Sequence, residues 1–226
     1  MTAGTTTSGR YRRRNPMPAL LLMVVLGLVA AFVWLKVVDE TAEADAARCN
    51  VPAPPATVSP DAAAPTLGQV LGAGALDRTA PVPAGQALVR VVNASDQRGL
   101  AATVTEQLRE LGFGQVAEPV NDLVYDQNLN CRAQIRFGQQ GQSAARTLSL
   151  VEPCAELVHD DRADATVDLA LGTSFDDIRP RTEGRKAIEA LAAWAEAHPE
   201  AQGGLQAGLV PDVDQNLLTG ARAANC

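Results

Sequence analysis

The longest apolar stretch of the chain runs from Met17 to Leu35, nineteen residues without a charge, interrupted only by Pro18 and Gly27. As a helix rising about 1.5 Å per residue it is roughly 28 Å long, close to the ~30 Å hydrocarbon core of a bilayer. Arg10, Arg12, Arg13 and Arg14 precede it, and Asp39 and Glu40 follow. By the positive-inside rule that asymmetry keeps the N-terminus in the cytoplasm, with Trp34 at the outer interface. The pattern predicts a basic cytoplasmic tail over 1–16 and one transmembrane helix over 17–36. Everything after it lies outside the cell (plasma) membrane. A cleaved signal peptide is the alternative, since Ala42-Glu43-Ala44 and Ala44-Asp45-Ala46 have small-x-small spacing. The run exceeds a usual signal core, however, and both sites lie beyond several charged residues. An uncleaved anchor is therefore the reading.

Residues 37–85 read as a linker rich in alanine and proline, with Pro52, Pro54, Pro55, Pro60 and Pro65 favouring extended chain. Thr66 to Leu76 is expected to form a short helix. Its Gly72-Ala73-Gly74 lacks the strand and the lysine that a phosphate loop needs. Regular alternation begins at Ala87. Ala87 to Val92 is a strand, and Asn93, Ser95, Asp96 and Gly99 supply turn chemistry. Leu100, Val104, Leu108 and Leu111 then fall on one helical face that Gly112 ends.

Further strands are expected at Gly114 to Val120, Arg132 to Phe137, Glu156 to Asp160 and Ala165 to Leu171, with a helix at Ser143 to Leu150. Strands interleaved with helices give an α/β (α+β) fold, a small open sheet of about four to five strands with two helices over 86–175. A helical extension occupies 176–226, its one strong element being the helix from Thr182 to about Ala197.

Charge narrows the partners. The whole chain carries −7, but setting aside the four N-terminal arginines leaves 15 basic against 26 acidic residues, a balance of −11 from Lys36 onward. An acidic exterior argues against nucleic acid and against capture of anionic polymers by a broad basic field. Cys49, Cys131, Cys154 and Cys226 all follow the apolar run, and an even count in an oxidising compartment reads as two disulfides. Three pairings exist. Because a helix returns the chain toward the start of its preceding strand, Cys131–Cys154 is expected, leaving Cys49–Cys226. With Cys49 pinned, about thirteen residues separate the domain from Lys36, a reach of at most about 45 Å at ~3.3 Å per residue. The spacing suggests no metal site, and no cofactor motif is present.

The ordered set Val89-Arg90-Val91-Val92-Asn93-Ala94-Ser95, Gly99-Leu100-Ala101 through Leu111-Gly112-Phe113, Ile135-Arg136-Phe137-Gly138-Gln139 and Val167-Asp168-Leu169-Ala170-Leu171-Gly172 resembles the LytR C-terminal domain. Arg98 stands where that family often has proline. The succession of basic tail, anchor, linker, one such domain and a cysteine-bearing extension resembles envelope-integrity proteins of actinobacteria. The resemblance implies a role in keeping the envelope intact, through binding of a wall glycan or an envelope protein near the membrane. Relatives carry the domain behind a LytR-CpsA-Psr catalytic domain. This chain has no room for one, so the resemblance implies no transferase activity and leaves, as the alternative, an accessory subunit of such a ligase. An unrecognised hydrolase is a third reading.

Candidate chemistry is sparse. The loop Asn93, Ser95, Arg98, Gly99 precedes a helix N-terminus and is the candidate binding loop; the competing expectation is that it turns the chain and caps the helix. His159 reads as a solvent-side strand residue, Arg179-Pro180-Arg181 as a solvated hinge and Trp194 as a core residue. Tyr125 is an aromatic able to stack on a sugar. No nucleophile-base pairing is visible, so catalytic residues are expected to be none.

Overall fold

A computed structural model describes residues 21–32, 48–53, 67–199, 210–224 and 226. The expectations for 1–20, 33–47, 54–66, 200–209 and 225, which include both ends of the predicted span and about half of the linker, lie outside the described residues. The chain divides into two compact units, Met1–Ala42 and Glu43–Cys226. In the first, residues 21–32 are helical (α1), with exposed apolar side chains such as Leu22, Met23 and Phe32. Among the described residues no helix is long and apolar enough to cross a membrane.

The second unit is built on one six-stranded sheet in the order β1-β5-β4-β6-β2-β3. Its strands are β1 (Gln69–Leu71), β2 (Leu88–Asn93), β3 (Gln115–Asn121), β4 (Ala133–Phe137), β5 (Glu156–His159) and β6 (Val167–Leu171). Its helices are α2 (Leu100–Glu110), α3 (Gln142–Val151), α4 (Thr182–Ala197) and α5 (Gln215–Arg222). The mixed α/β class matches expectation, but the sheet is wider than four to five strands. Two βαβ units, β2-α2-β3 and β4-α3-β5, each place parallel strands side by side, and they meet where β6 pairs parallel to β2 and antiparallel to β4.

The sixth strand comes from the segment expected to be a short helix. Gln69–Leu71 instead pairs antiparallel with Leu157–His159 at the sheet edge. Gly68 explains the choice: a Cβ there would lie 2.1 Å from the carbonyl oxygen of His159, so only glycine lets the chain approach β5 this closely. At the other edge, Glu118 and Pro119 both sit opposite Val91, because Arg90 pairs with Ala117 and Val92 with Val120. A proline is tolerated in an edge strand, where no further neighbour needs its N–H.

Helix α2 ends as its sequence requires. Gly112 takes φ 93°, its N–H bonds to Arg109 O at 3.0 Å, and Phe113 N–H reaches Leu108 O at 3.1 Å. These are the paired bonds of a Schellman turn, closed by the buried Leu108 and Phe113. The core lies between one sheet face (Val89, Val91, Ile135, Phe137, Leu169, Leu171) and the inner faces of α2 and α3 (Val104, Leu108, Ala145, Leu148). Helices α4 and α5 then cover α3 from outside. With α3 buried on both sides, the close packing is made by Gly184 of α4, where a Cβ would lie 2.3 Å from Leu150 O. Helix α5, which lies in the part of the tail without strong sequence signals, starts at Asp214, whose side chain accepts from Asn216 N–H at 2.8 Å.

Both disulfides differ from expectation. Cys49 pairs with Cys131 and Cys154 with Cys226, at Cα–Cα separations of 4.8 and 5.4 Å. Helix α3 does return along β4, but Cys131 belongs to a second apolar cluster with Val92, Ala94, Tyr125, Leu129 and Ala170, on the sheet face away from α3. Cys154, at the end of α3, therefore has the sheet between itself and Cys131. It meets Cys226 because α5 packs on α3 and α4, and Arg222 donates to Ser149 O and Pro153 O at 3.4 and 2.9 Å beside it.

Candidate functional site

The expected binding loop is occupied with itself. Asn93 Oδ1 accepts from Ser95 N–H and Ser95 Oγ at 3.2 and 2.9 Å, and Asn93 Nδ2 donates to Gln97 O at 2.9 Å. Ser95 is buried, while Arg98 and Gly99 are exposed. Gly99 is the N-cap residue at φ 78°, and no side chain caps the helix. The four residues are thus adjacent, but Asn93 and Ser95 hold the turn, and the capping half of the expectation fails because Gly99 stands at the cap position. Gln97 Nε2 ties the loop to Thr173 O and Phe175 O at 3.5 and 3.4 Å.

The sheet face away from the helices carries a network that the sequence reading missed. Asp168 on β6 accepts a two-pronged bond from Arg90 on β2 (2.8 and 3.0 Å) and another from Arg162 (2.8 Å). Arg162 also grips Asp160, with contacts down to 2.6 Å, and donates to Thr166 O. The hydrogen bond to Asp168 raises the Arg90 guanidinium above its ordinary value against the opposing effect of burial. Burial pulls Arg162 down, yet its bonds to Asp160 and Asp168 carry it upward overall. Arg90, Asp160, Arg162 and Thr166 border a cleft of about 420 Å³ that Leu67, Gly68 and Asp164 also line. Its positive groups are already committed to carboxylates.

Farther along the same face, Arg136 is bidentate to Asp122 at 2.7 and 3.0 Å and donates through Nε to Gln134 Oε1 at 3.0 Å. Its guanidinium stands 5.4 Å from the Tyr125 ring centre. Gln134 Nε2 donates to Glu156 at 2.6 Å and to the Tyr125 hydroxyl at 3.1 Å. Tyr125 is therefore buried and not free to stack on a sugar; burial moves its hydroxyl to a higher pKa than usual.

Over this face lies the segment 48–53, fastened to the loop that precedes β4. Besides the disulfide, Cys49 N–H donates to Glu156 Oε1 at 3.2 Å, and Asn50 N–H to Asn130 Oδ1 at 2.9 Å. Asn130 N–H returns a bond to Asn50 Oδ1 at 2.8 Å, and the Tyr125 hydroxyl donates to Asn50 O at 2.7 Å.

A third polar site joins the domain to its extension. Arg132 donates to Glu152 Oε1 at 2.8 Å, to Asp176 and to Asp177 O, and its guanidinium stands over the Phe175 ring at 4.8 Å. Burial raises the Glu152 carboxyl against the opposing pull of Arg132, whereas the Arg132 hydrogen bond holds the exposed Asp176 down at about 2. Arg179 and Arg181 in the expected hinge pair with Asp177 and Glu183.

On the helix side a groove of about 810 Å³ opens between the segment before β2, α3 and α4. It is lined by Val82, Gln86, Leu88, Gln115, Gln140 and Ser143 with Pro83, glycines and alanines, and none of these described lining residues is charged. Trp194 is not core: it is half-buried and stacks on His198 at 4.6 Å. His159 is also half-buried, edge-on to Phe137 at 5.8 Å. Among the described residues no three His, Cys, Asp or Glu side chains are grouped so as to hold a metal ion.

Residues 86–175 match the family model described as LytR cell envelope-related transcriptional attenuator. The chain is 41% identical over 167 residues to the cell envelope integrity protein Cei of Mycobacterium tuberculosis, covering 73% of this chain and 75% of that protein. It is also similar to the crystal structure of the soluble domain of a conserved hypothetical secreted protein from Mycobacterium marinum. The two share 37% identity with a TM-score of 0.59, across 71% of this chain and 99% of that one.

Proposed function

The chain belongs to the LytR C-terminal domain family and has a cell-envelope role, and from that premise we propose that it is a non-enzymatic binding module anchored in the plasma membrane. Its outer domain takes a wall glycan or an envelope protein close to the membrane face. The observation that carries this reading is how the charges are spent. Around the polar cleft and in the Arg136–Asp122 pair the arginines and carboxylates neutralise one another, and the described lining of the helix-side groove holds none. Catalysis wants a titratable group left unbalanced beside a space for substrate. Binding wants a preformed concave surface, and about 810 Å³ falls within the usual range for ligand sites.

The clasp at Cys49 supports a position near the membrane. With that residue bonded to Cys131, the tether back to Lys36 spans at most about 45 Å at ~3.3 Å per residue. The full-length chain tests the reading in two arms: retention on purified peptidoglycan-arabinogalactan, and crosslinking in native membranes. Specific capture in either arm is expected. Failure in both removes the binding role, turnover of wall material by the purified protein removes the non-enzymatic one, and a crosslink to a LytR-CpsA-Psr ligase converts the reading to an accessory subunit.

A further inference from the structure

The two disulfides are unequally open to attack. Cys131 keeps 7% of its surface and lies in the second apolar cluster, with the half-buried Cys49 packed against it. Cys226 is exposed and Cys154 half-buried, and both line a cleft of about 330 Å³ that the exposed Arg179 and Arg181 also line. Thiol–disulfide exchange requires a thiolate to reach a disulfide sulfur. Apolar surroundings disfavour that anion, and neighbouring guanidinium groups favour it. At Cys154–Cys226 the cleft supplies both the room and the charge.

What that bond holds is a helix end crowded by like charge. The side chain of Arg222, in the last turn of α5, is 12% exposed, and its hydrogen bonds go to the neutral carbonyls Ser149 O, Pro153 O and Ala73 O. That of Arg146 on α3 is 3% exposed. Both guanidiniums rest on one oxygen, Asp77 Oδ1, Arg146 at 2.9 Å and Arg222 at 4.0 Å. Arg146 Nε is also shut off from solvent with no acceptor. Two buried cations that share one exposed carboxylate have lost more hydration than that partner restores. Burial draws both guanidiniums below their ordinary values, and Arg146 pushes Arg222 the same way. Against this, Leu218 and Ala221 hold α5 inward by apolar burial, and the disulfide closes it at Cys226.

We infer that Cys154–Cys226 is a thiol–disulfide exchange site opened by a dithiol, and that its opening lets the Arg222 end of α5 leave α3. One thiolate of the dithiol attacks Sγ of Cys226. The Cys154–Cys226 bond breaks as the new S–S bond forms, and the Cys154 thiolate departs and takes a proton from solvent. The second thiolate of the dithiol attacks the mixed disulfide and releases Cys226, so the dithiol is oxidised by two electrons and the cysteine pair reduced by two. Arg222 then regains water and Asp77 is left to Arg146 alone. The sheet stays closed, because Cys49–Cys131 and the ladders of β4 are untouched. This device is independent of which ligand the domain takes.

The test treats the full-length chain in micelles with limiting dithiothreitol, quenches with acid, and follows alkylated peptides together with amide hydrogen exchange. Cys154–Cys226 should open about tenfold or more faster than Cys49–Cys131. Once it is open, the amides of Leu218 to Arg222 should exchange about tenfold or more faster, while those of Ile135 and Leu169 keep their protection. Arg146→Met relieves the crowding and should return most of the α5 protection in the reduced protein. Asp77→Asn, at an exposed position, removes the shared carboxylate and should speed α5 exchange further; it serves if the first variant misfolds. The inference is overturned by equal reduction of the two bonds, by α5 amides that stay protected after Cys154–Cys226 opens, by loss of sheet protection along with them, or by α5 exchange in the reduced protein that is indifferent to both variants.

Discussion

Arg136 and Asp122 give the sharpest test of what holds the polar face together. Their side chains are 6% and 3% exposed and meet through two bonds at 2.7 and 3.0 Å. Arg136→Met removes a cation while keeping much of the volume. Asp122 is then left with one bond from Tyr125 N–H at 3.1 Å and no positive partner. Removing one member of a buried pair costs about 3–5 kcal/mol, because the survivor's desolvation is no longer offset. For a unit of this size each kcal/mol lowers the midpoint by roughly 2–4 °C, so the variant should melt roughly 6–20 °C lower. The double variant Arg136→Met/Asp122→Leu removes both charges and should recover most of that loss, within about 2 kcal/mol of the parent. The assay is urea and thermal unfolding of oxidised protein at constant pH. A single variant losing less than about 1 kcal/mol, or a double variant losing the sum of the singles, would show that the pair is not desolvated as described.

Nonreducing peptide mapping should recover Cys49–Cys131 and Cys154–Cys226; replacing Cys154 and Cys226 by serine should cost roughly 2–5 kcal/mol, and an unchanged melt would show that the extension does not need its staple. Arg132 holds Asp176 at about 2, so the stabilisation from that carboxylate is complete above its unfolded value near 4 and is lost as pH falls through 2. Asp176→Asn should accordingly narrow the stability gap to the parent at pH 2 relative to pH 7, and a gap independent of pH would refute the assignment. Gly99→Ala should cost roughly 1 kcal/mol by denaturant unfolding, purely from forcing φ 78° on a residue with a Cβ, since nothing lies within 4 Å of the added atom.

What the sequence made legible follows from how local each signal is. Leu100, Val104, Leu108 and Gly112 lie within one helix and its cap, so spacing alone places α2 and its end. Gln69–Leu71 is too short to show a period, and its strand state depends on Gly68 fitting against His159, a partner 91 positions away in sequence (159 − 68). The cysteine error has the same origin. Proximity along a strand-helix unit says nothing about which face of the sheet a neighbouring loop occupies, and Cys131 lies on the face opposite α3. The polar face did leave a trace that the reading passed over: Arg90 between Val89 and Val91, and Asp168 between Val167 and Leu169, are charged residues at alternate positions of apolar strands. Such alternation marks a sheet whose second face is not ordinary core. The groove left none. Its walls come from positions between Val82 and Ala195, each a small or neutral residue that reads as filler until the fold assembles them.

The two cysteine pairs divide mechanical labour in a way that the expected pairing would not. A pull arriving along the N-terminal chain reaches Cys49 first and passes through the disulfide to Cys131, two residues before β4. Strand β4 lies inside the sheet, paired with β5 on one side and β6 on the other, so the load spreads over two ladders. Without that bond and the Asn50 contacts, the same pull would arrive at Gln69–Leu71, an edge strand held to β5 by three residue pairs. Edge pairing of that length opens at little cost compared with global unfolding. Cys154–Cys226 plays no part in this path; it closes α5 onto the end of α3, where Arg222 already bonds Pro153 O and Ala73 O. Under the proposed anchoring one bond would shield the sheet from a pull on the N-terminal chain, and the other keeps α5 packed on α3 and α4. For a domain tethered as proposed, the two bonds would carry separate tasks, each lying on its own side of the sheet.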